Sequence, residues 1–186
     1  MKNNLLPSII LTTALAVLLG GIYPLLLWGI AQMAPHSGKG FTVESTHGKQ
    51  YVNVGQAFIS DGYFWSRPSA VDYNAAGSGA SNKAATNTAY LAQVQQRIDD
   101  FLTKNPTVDK REIPVDLVTA SGSGLDPNIS VQAAYVQIAR IAQKRGIAVD
   151  RLEQLVAEHI QQPLFGVLGP QKINVVELNL ALDALP

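Results

Sequence analysis

The chain reads as α+β: a single N-terminal transmembrane helix followed by one mostly helical soluble domain with a small β-hairpin. Three observations predict this class. Every residue from Leu5 to Ala34 is uncharged, a run of 30, and about 20 apolar residues suffice to cross a bilayer. Residues 35 to 186 contain no linker long enough to separate two domains and no repeated unit. Within them, four segments carry apolar residues at helical spacing, whereas one alternates apolar with polar residues.

The N-terminal segment would reach about 45 Å as a helix, more than the hydrocarbon core of roughly 30 Å. A cleaved signal peptide has an apolar region of only about 7–15 residues before a small-x-small site. Here "SIILTTALAVLLGGIYPLLLWGIAQ" runs past that limit, and "AQMA" puts Gln32 where a small residue is needed. The reading is therefore a retained anchor: residues 1–7 as a short tail, 8–33 as the span and 34–186 as the domain. Pro24 lacks an N–H and crowds the carbonyl of Gly20, which predicts a kink. Gly20, Gly21 and Pro24 can also form a face that a neighbouring helix approaches closely, or reflect the ordinary frequency of such residues in membrane helices. Lys2 opposes Lys39 and Lys49 across the span, so the positive charges nearly balance and only lean toward an inside N-terminus.

In the domain, "FTVESTHGKQYVNV" alternates around His47-Gly48 and predicts a hairpin. The loop "SDGYFWSRPSAVDYNAAGSGASNK" follows, with Tyr63, Phe64, Trp65, Arg67 and Tyr73. These aromatics read either as an exposed patch for a partner or as core beneath a loop. Arg67 favours the patch, since arginine is rarely buried without a partner. "NTAYLAQVQQRIDDFLTKNP" places Tyr90, Leu91, Val94, Ile98, Phe101 and Leu102 on one stripe, with Asn87 or Thr88 as cap. "EIPVDLVTA" is a short strand candidate. From Ser130, a plausible cap, Val131, Ala134, Tyr135, Ile138, Ile141 and Ala142 form a second stripe that ends at Gly146. A third helix near "VDRLEQLVAEHI" stops at Pro163, and "NVVELNLALD" is read as a helix because Asn174 and Glu177 resemble a capping box.

Catalytic chemistry is sparse. Fourteen basic and fourteen acidic side chains balance, which gives no electrostatic reason to expect nucleic acid. With no cysteine and three histidines, there is no metal-ligand spacing and little material for a Cys–His or Ser–His mechanism. His159, on an apolar stripe, reads as a core histidine with a satisfied hydrogen bond, and Asp126 as a turn residue before Pro127. "HGKQ" lacks both the earlier glycine and the Ser or Thr of a phosphate-binding Walker loop, and no G-x-S-x-G occurs. An enzyme acting alone is not expected. One loop keeps a phosphate question open: "TASGSGLDPNIS", with Ser121, Gly122 and Gly124, enters a helix N-terminus where backbone N–H groups can cradle anions. No lysine or arginine lies between Thr119 and Ser130, so a tight turn and helix entry is the favoured reading.

Three long motifs occur in one order: "YFWSRPSAVDYNAAGSGASN", "PVDLVTASGSGLDPNISVQAAYVQIARIAQKRG" and "NVVELNLALD". Together with "GGIYPLLLW" they resemble the KdpC family, the C subunits of the Kdp potassium-transporting P-type ATPase, over almost the whole chain. The chain departs from the family pattern at "YVNVGQAF" and "GPQKIN", around Gln56 and Gln171. The resemblance implies a non-catalytic accessory subunit in the bacterial inner membrane, with a cytoplasmic N-terminus and a periplasmic domain. The implied partners are an ATP-hydrolysing P-type subunit, a channel-like potassium-binding subunit, a small membrane subunit and membrane lipid. Potassium is then the substrate of the complex, and this chain holds no cofactor of its own. Two roles go with the family: an assembly clamp over the potassium entrance, or a catalytic chaperone that shares ATP with the hydrolysing subunit through a glutamine, here Gln137, near Ser121, Gly122 and Gly124. The two require opposite compartments, since ATP is scarce in the periplasm. A membrane-anchored periplasmic binding or scaffold protein is the alternative.

Overall fold

A computed structural model describes residues 4–45 and 48–185 and divides into two units, Met1–Thr42 and Val43–Pro186. In the first unit, α1 (Leu5–Val17), a π turn (Leu18–Ile22) and α2 (Tyr23–Ala31) form one helix. It runs 27 residues, with a mean hydropathy of 2.2 over an 18-residue stretch, long and apolar enough to cross a membrane. At the position of the expected kink the helix contains the π turn. The N–H of Tyr23 donates to the carbonyl of Leu18, which widens the helix where the Pro24 ring would otherwise press on the Gly20 carbonyl.

In the second unit, β1 (Thr42–Ser45) and β2 (Gly48–Tyr51) pair as the predicted hairpin; His47 lies outside the described residues. After a long irregular stretch comes α3 (Thr88–Lys104), whose cap is Asn87: its side chain accepts from the Tyr90 N–H. Of the predicted stripe only Phe101 is buried, and Leu91 is exposed. The helix therefore meets the core through its C-terminal turn. "EIPVDLVTA" is not a strand. It folds as two 3-10 turns, Lys110–Glu112 and Val115–Leu117, because Asp109 and Glu112 close a capping box and Pro114 has no N–H for a ladder.

β3 (Asn128–Ile129) pairs antiparallel with β4 (Ile173–Asn174), with Ile129 opposite Ile173. The second predicted helix is interrupted, giving α4 (Val131–Tyr135) and α5 (Ile138–Arg145). The break has a local cause. The side chain of Gln137 donates to the Ala133 carbonyl at 2.8 Å, while its backbone N–H bonds Ala134 instead. Ser130 caps α4 by accepting from the Ala133 N–H, and Gly146, at φ 69°, ends α5 in the left-handed conformation. Then α6 (Val149–Glu158) packs on α4, α5 and α7 (Val175–Asp183). Asn174 caps α7 through the N–H groups of Val176 and Glu177. The Glu177 carboxylate accepts from Gln161. Phe64, Ile141, Leu152, Ile173, Leu178 and Leu182 are fully buried at the centre.

Candidate functional site

The stretch from Asp61 to Arg67 passes through the centre of the domain beside helices rather than beside a strand. Its backbone polar groups must find partners or suffer unpaired burial, and side chains supply them. The Asn179 amide acts like a neighbouring strand: its Oδ1 accepts from the Phe64 N–H and its Nδ2 donates to the Phe64 carbonyl, both at 2.9 Å. The Trp65 N–H donates to Gln137 Oε1 at 2.8 Å.

Arg140 completes this clamp. Its guanidinium donates to the carbonyls of Asp61 and Tyr63, to Gln137 Oε1 and to Asn105 Oδ1, and lies 4.1 Å from the Trp65 ring centroid. Burial pushes its pKa down to about 10, with Asp61 opposing the shift, so the group stays charged at neutral pH. Lys104 hydrogen-bonds Asp61 and holds that carboxyl below its ordinary value. Nearer the surface, Arg145 donates to the Gly62 carbonyl at 2.7 Å, pairs with Asp183 at 2.7 Å and stacks on Tyr63.

The sequence candidates occupy distinct places in this arrangement. Phe64 is fully buried in the core, while Tyr63, Trp65 and Arg67 are partly buried. Gln137 has no exposed surface, and Ser121 is also buried. The glycine-rich loop is tied to its surroundings through its own backbone: the Ser121 N–H donates to Pro68, the Ser123 carbonyl accepts from the Gly79 N–H, and the Gly124 carbonyl accepts from Ser69 Oγ. Further along, the N–H groups of Leu125, Asn128 and Ser130 go to Ser123, Asp126 and Asp116. Gly124 has φ 69°, and a Cβ there would lie 2.6 Å from Val71 Cγ2 and 2.8 Å from the Gly79 carbonyl. Gly124→Ala should therefore cost about 2 kcal/mol. Gly122→Ala, where a Cβ meets nothing within 4 Å, should stay within about 0.5 kcal/mol. Paired thermal melts of the two variants check this.

A cleft of about 590 Å³ opens beside the loop, lined by Arg67, Asp116, Asp126, Asn128, Ser130 and Lys172 among others. Its carboxylates are engaged. Asp126 pairs with Arg67 at 3.1 Å and holds its own turn through Asn128, and Asp116 accepts from both the N–H and the hydroxyl of Ser130. His159 Nδ1 lies 2.8 Å from the Leu155 carbonyl. Among the described residues, no cluster of three or more histidine or carboxylate side chains is placed to hold a metal. Gly20 and Gly21 stand in the π turn, where a Cβ would meet nothing within 4 Å, and Pro24 follows it.

Sequence reasoning missed Arg140, Asn179 and Asn105. A signal exists for two of them. Arg140 is a cation between the core residues Ile138 and Ile141, and Asn179 is a lone amide between Leu178 and Leu180. Polar groups in such company are usually paired.

Among the described residues, one helix long and apolar enough to cross a membrane followed by an α+β domain fits a single-span membrane protein. The chain belongs to the KdpC family, described as "K+-transporting ATPase, c chain", which it matches over residues 5–184. It is 51% identical to the potassium-transporting ATPase KdpC subunit of Flavobacterium psychrophilum, covering 98% of this chain and 99% of that protein. The subunits of the same name from Bacteroides thetaiotaomicron and Geobacter sulfurreducens are 43% and 44% identical, each alignment covering 97–98% of this chain and 98% of the relative.

Proposed function

We propose that this chain acts as a non-catalytic accessory subunit of a high-affinity, ATP-driven potassium import complex, where it supports assembly and stability. Its partners in this reading are the ATP-hydrolysing P-type subunit, the channel-like potassium-binding subunit and a small membrane subunit. The span holds it in the bacterial inner membrane, with the N-terminus cytoplasmic and the domain periplasmic. The face carrying Gly20 and Gly21 accepts a neighbouring helix, as small residues permit. Tyr63, Trp65 and Arg67 offer the parts of the aromatic segment that can reach a partner, with Phe64 anchoring that segment from below.

Family membership over nearly the whole chain supports the assignment to the complex. The preference for assembly over nucleotide chemistry rests on one observation: Gln137, the residue most open to an ATP role, is fully buried and bonds Trp65, Ala133 and Arg140. A side chain so engaged can contact ATP only after the centre of the domain opens.

Two measurements test this. Purification of the tagged chain from native membranes should recover the ATP-hydrolysing and channel-like subunits; recovery alone would favour the free-standing scaffold. In the assembled complex, Gln137→Ala should leave the half-saturating ATP concentration within about twofold while lowering the melting temperature, because it orphans the buried Trp65 N–H. A several-fold loss of apparent ATP affinity with an unchanged melt would establish the catalytic chaperone instead.

A further inference from the structure

In a two-stranded sheet each strand keeps one edge without a neighbour. Strand β2 pairs with β1 alone, and a cleft of about 310 Å³ lies against it. Lys49, Gln50 and Tyr51 line this cleft together with Gly55, Ala57 and Tyr73 among others, whereas no residue of β1 does. Successive strand residues point to opposite faces. A cleft that touches three in a row, and none of the paired strand, therefore runs along the free edge of β2. Lys49 and Tyr51 are exposed, but Gln50 is only 8% exposed. Its Oε1 is buried and has no hydrogen-bond partner among the described residues. A buried acceptor left unpaired is costly and calls for a donor. The surrounding loops spend two of their donors elsewhere: the Gly55 N–H goes to the Leu125 carbonyl at 2.7 Å, and the Tyr73 hydroxyl to the Arg67 carbonyl. The recess is fixed by the fold around it. Ser66 Oγ donates to the Gln56 carbonyl at 2.7 Å, and a Cβ on Gly55 would lie 2.7 Å from the Asp126 carbonyl.

The edge and the amide ask for the same kind of occupant. A strand edge presents N–H and C=O groups in a row, and another extended main chain answers both along its length. That main chain also brings an N–H for Gln50. A lipid surface has no such row to offer. A second copy would meet this one through the same patch in a two-fold contact. Such a contact sets recess against recess and brings two Lys49 charges to one four-residue edge. A segment that projects from a different protein enters the recess without either conflict.

We infer that the free edge of β2 takes an extended segment of another subunit of the transport complex as an added strand, with a main-chain N–H of that segment donating to Gln50 Oε1. The inference rests on the accessory-subunit reading above. The test uses the full chain, tagged and purified with its partners from native membranes, beside the same chain purified alone. Amide hydrogen exchange across Lys49, Gln50 and Tyr51 should be at least about tenfold slower in the complex. Gln50→Met keeps the length of the side chain and removes the acceptor. In the chain alone it should leave the melting temperature equal to or above that of the wild type, since an unpaired buried acceptor is gone. In the complex it should cut the added protection about fivefold, the worth of one hydrogen bond. A photo-crosslinker in place of Lys49 should join this chain to a second, different polypeptide. Exchange at these amides that is the same with and without partners, protection that Gln50→Met leaves unaltered, or crosslinks only to lipid or to another copy of this chain overturns the proposal. A wild-type chain that recovers no ATP-hydrolysing subunit overturns the functional reading instead, so the two failures are distinguishable.

Discussion

Arg140→Met is expected to lower the melting temperature of the full chain by about 15 °C, from a loss of about 4 kcal/mol at roughly 4 °C per kcal/mol. The substitution keeps an apolar stem of similar length, so packing is largely retained while every donor is lost. The carbonyls of Asp61 and Tyr63 and the amide oxygens of Gln137 and Asn105 then lose the guanidinium that serves them. Unpaired buried acceptors cost about 1–3 kcal/mol each before relaxation. The ring of Trp65 also loses its cation. Arg140→Lys should recover only part of the loss, because a compact ammonium cannot fork among these acceptors as a planar guanidinium does. Thermal melts of the three proteins in one detergent decide the matter. Equal midpoints for wild type and Arg140→Met would show that the clamp does not hold the domain together.

Asn179→Asp is the second large effect, and it carries a pH signature. The amide at this position, 1% exposed, both accepts from the Phe64 N–H and donates to the Phe64 carbonyl. A carboxylate keeps the acceptor but turns a second oxygen toward the carbonyl, at a cost of about 3–5 kcal/mol near neutral pH. Protonation restores the donor. The new carboxyl is therefore expected to titrate higher folded than its unfolded value of about 3.9. For a group shifted upward, the neutral form is favoured by folding, so the deficit relative to wild type should be largest at pH 7 and shrink as pH falls toward 4. Denaturant titrations of both proteins across that range read the difference directly. A deficit independent of pH would show that the loss is one of shape rather than of the donated hydrogen bond.

Much of the local structure is legible in single segments, because its causes lie within a few residues. The caps at Asn87, Ser130 and Asn174 satisfy N–H groups two or three positions on, and Gly146 ends its helix by the sign of one torsion. The hairpin follows from alternation, and the apolar helix from thirty residues without charge. The same locality explains the error at "EIPVDLVTA". Its strand-forming composition is overridden by the Asp109 capping box and Pro114.

The class of the protein is readable from the residues alone: an apolar helix, an α+β domain and three ordered motifs that resemble the KdpC family. The partners of several of the most prominent residues emerge only once the chain is folded. Phe64 and Asn179 are 115 residues apart, Trp65 and Gln137 are 72 apart, and nothing in either local pattern specifies its partner. Backbone groups buried away from water must be paired, but which distant side chain pairs them depends on how the helices close around the Asp61–Arg67 segment. That closure buries Gln137 at the centre of the fold, bonded to Trp65, Ala133 and Arg140.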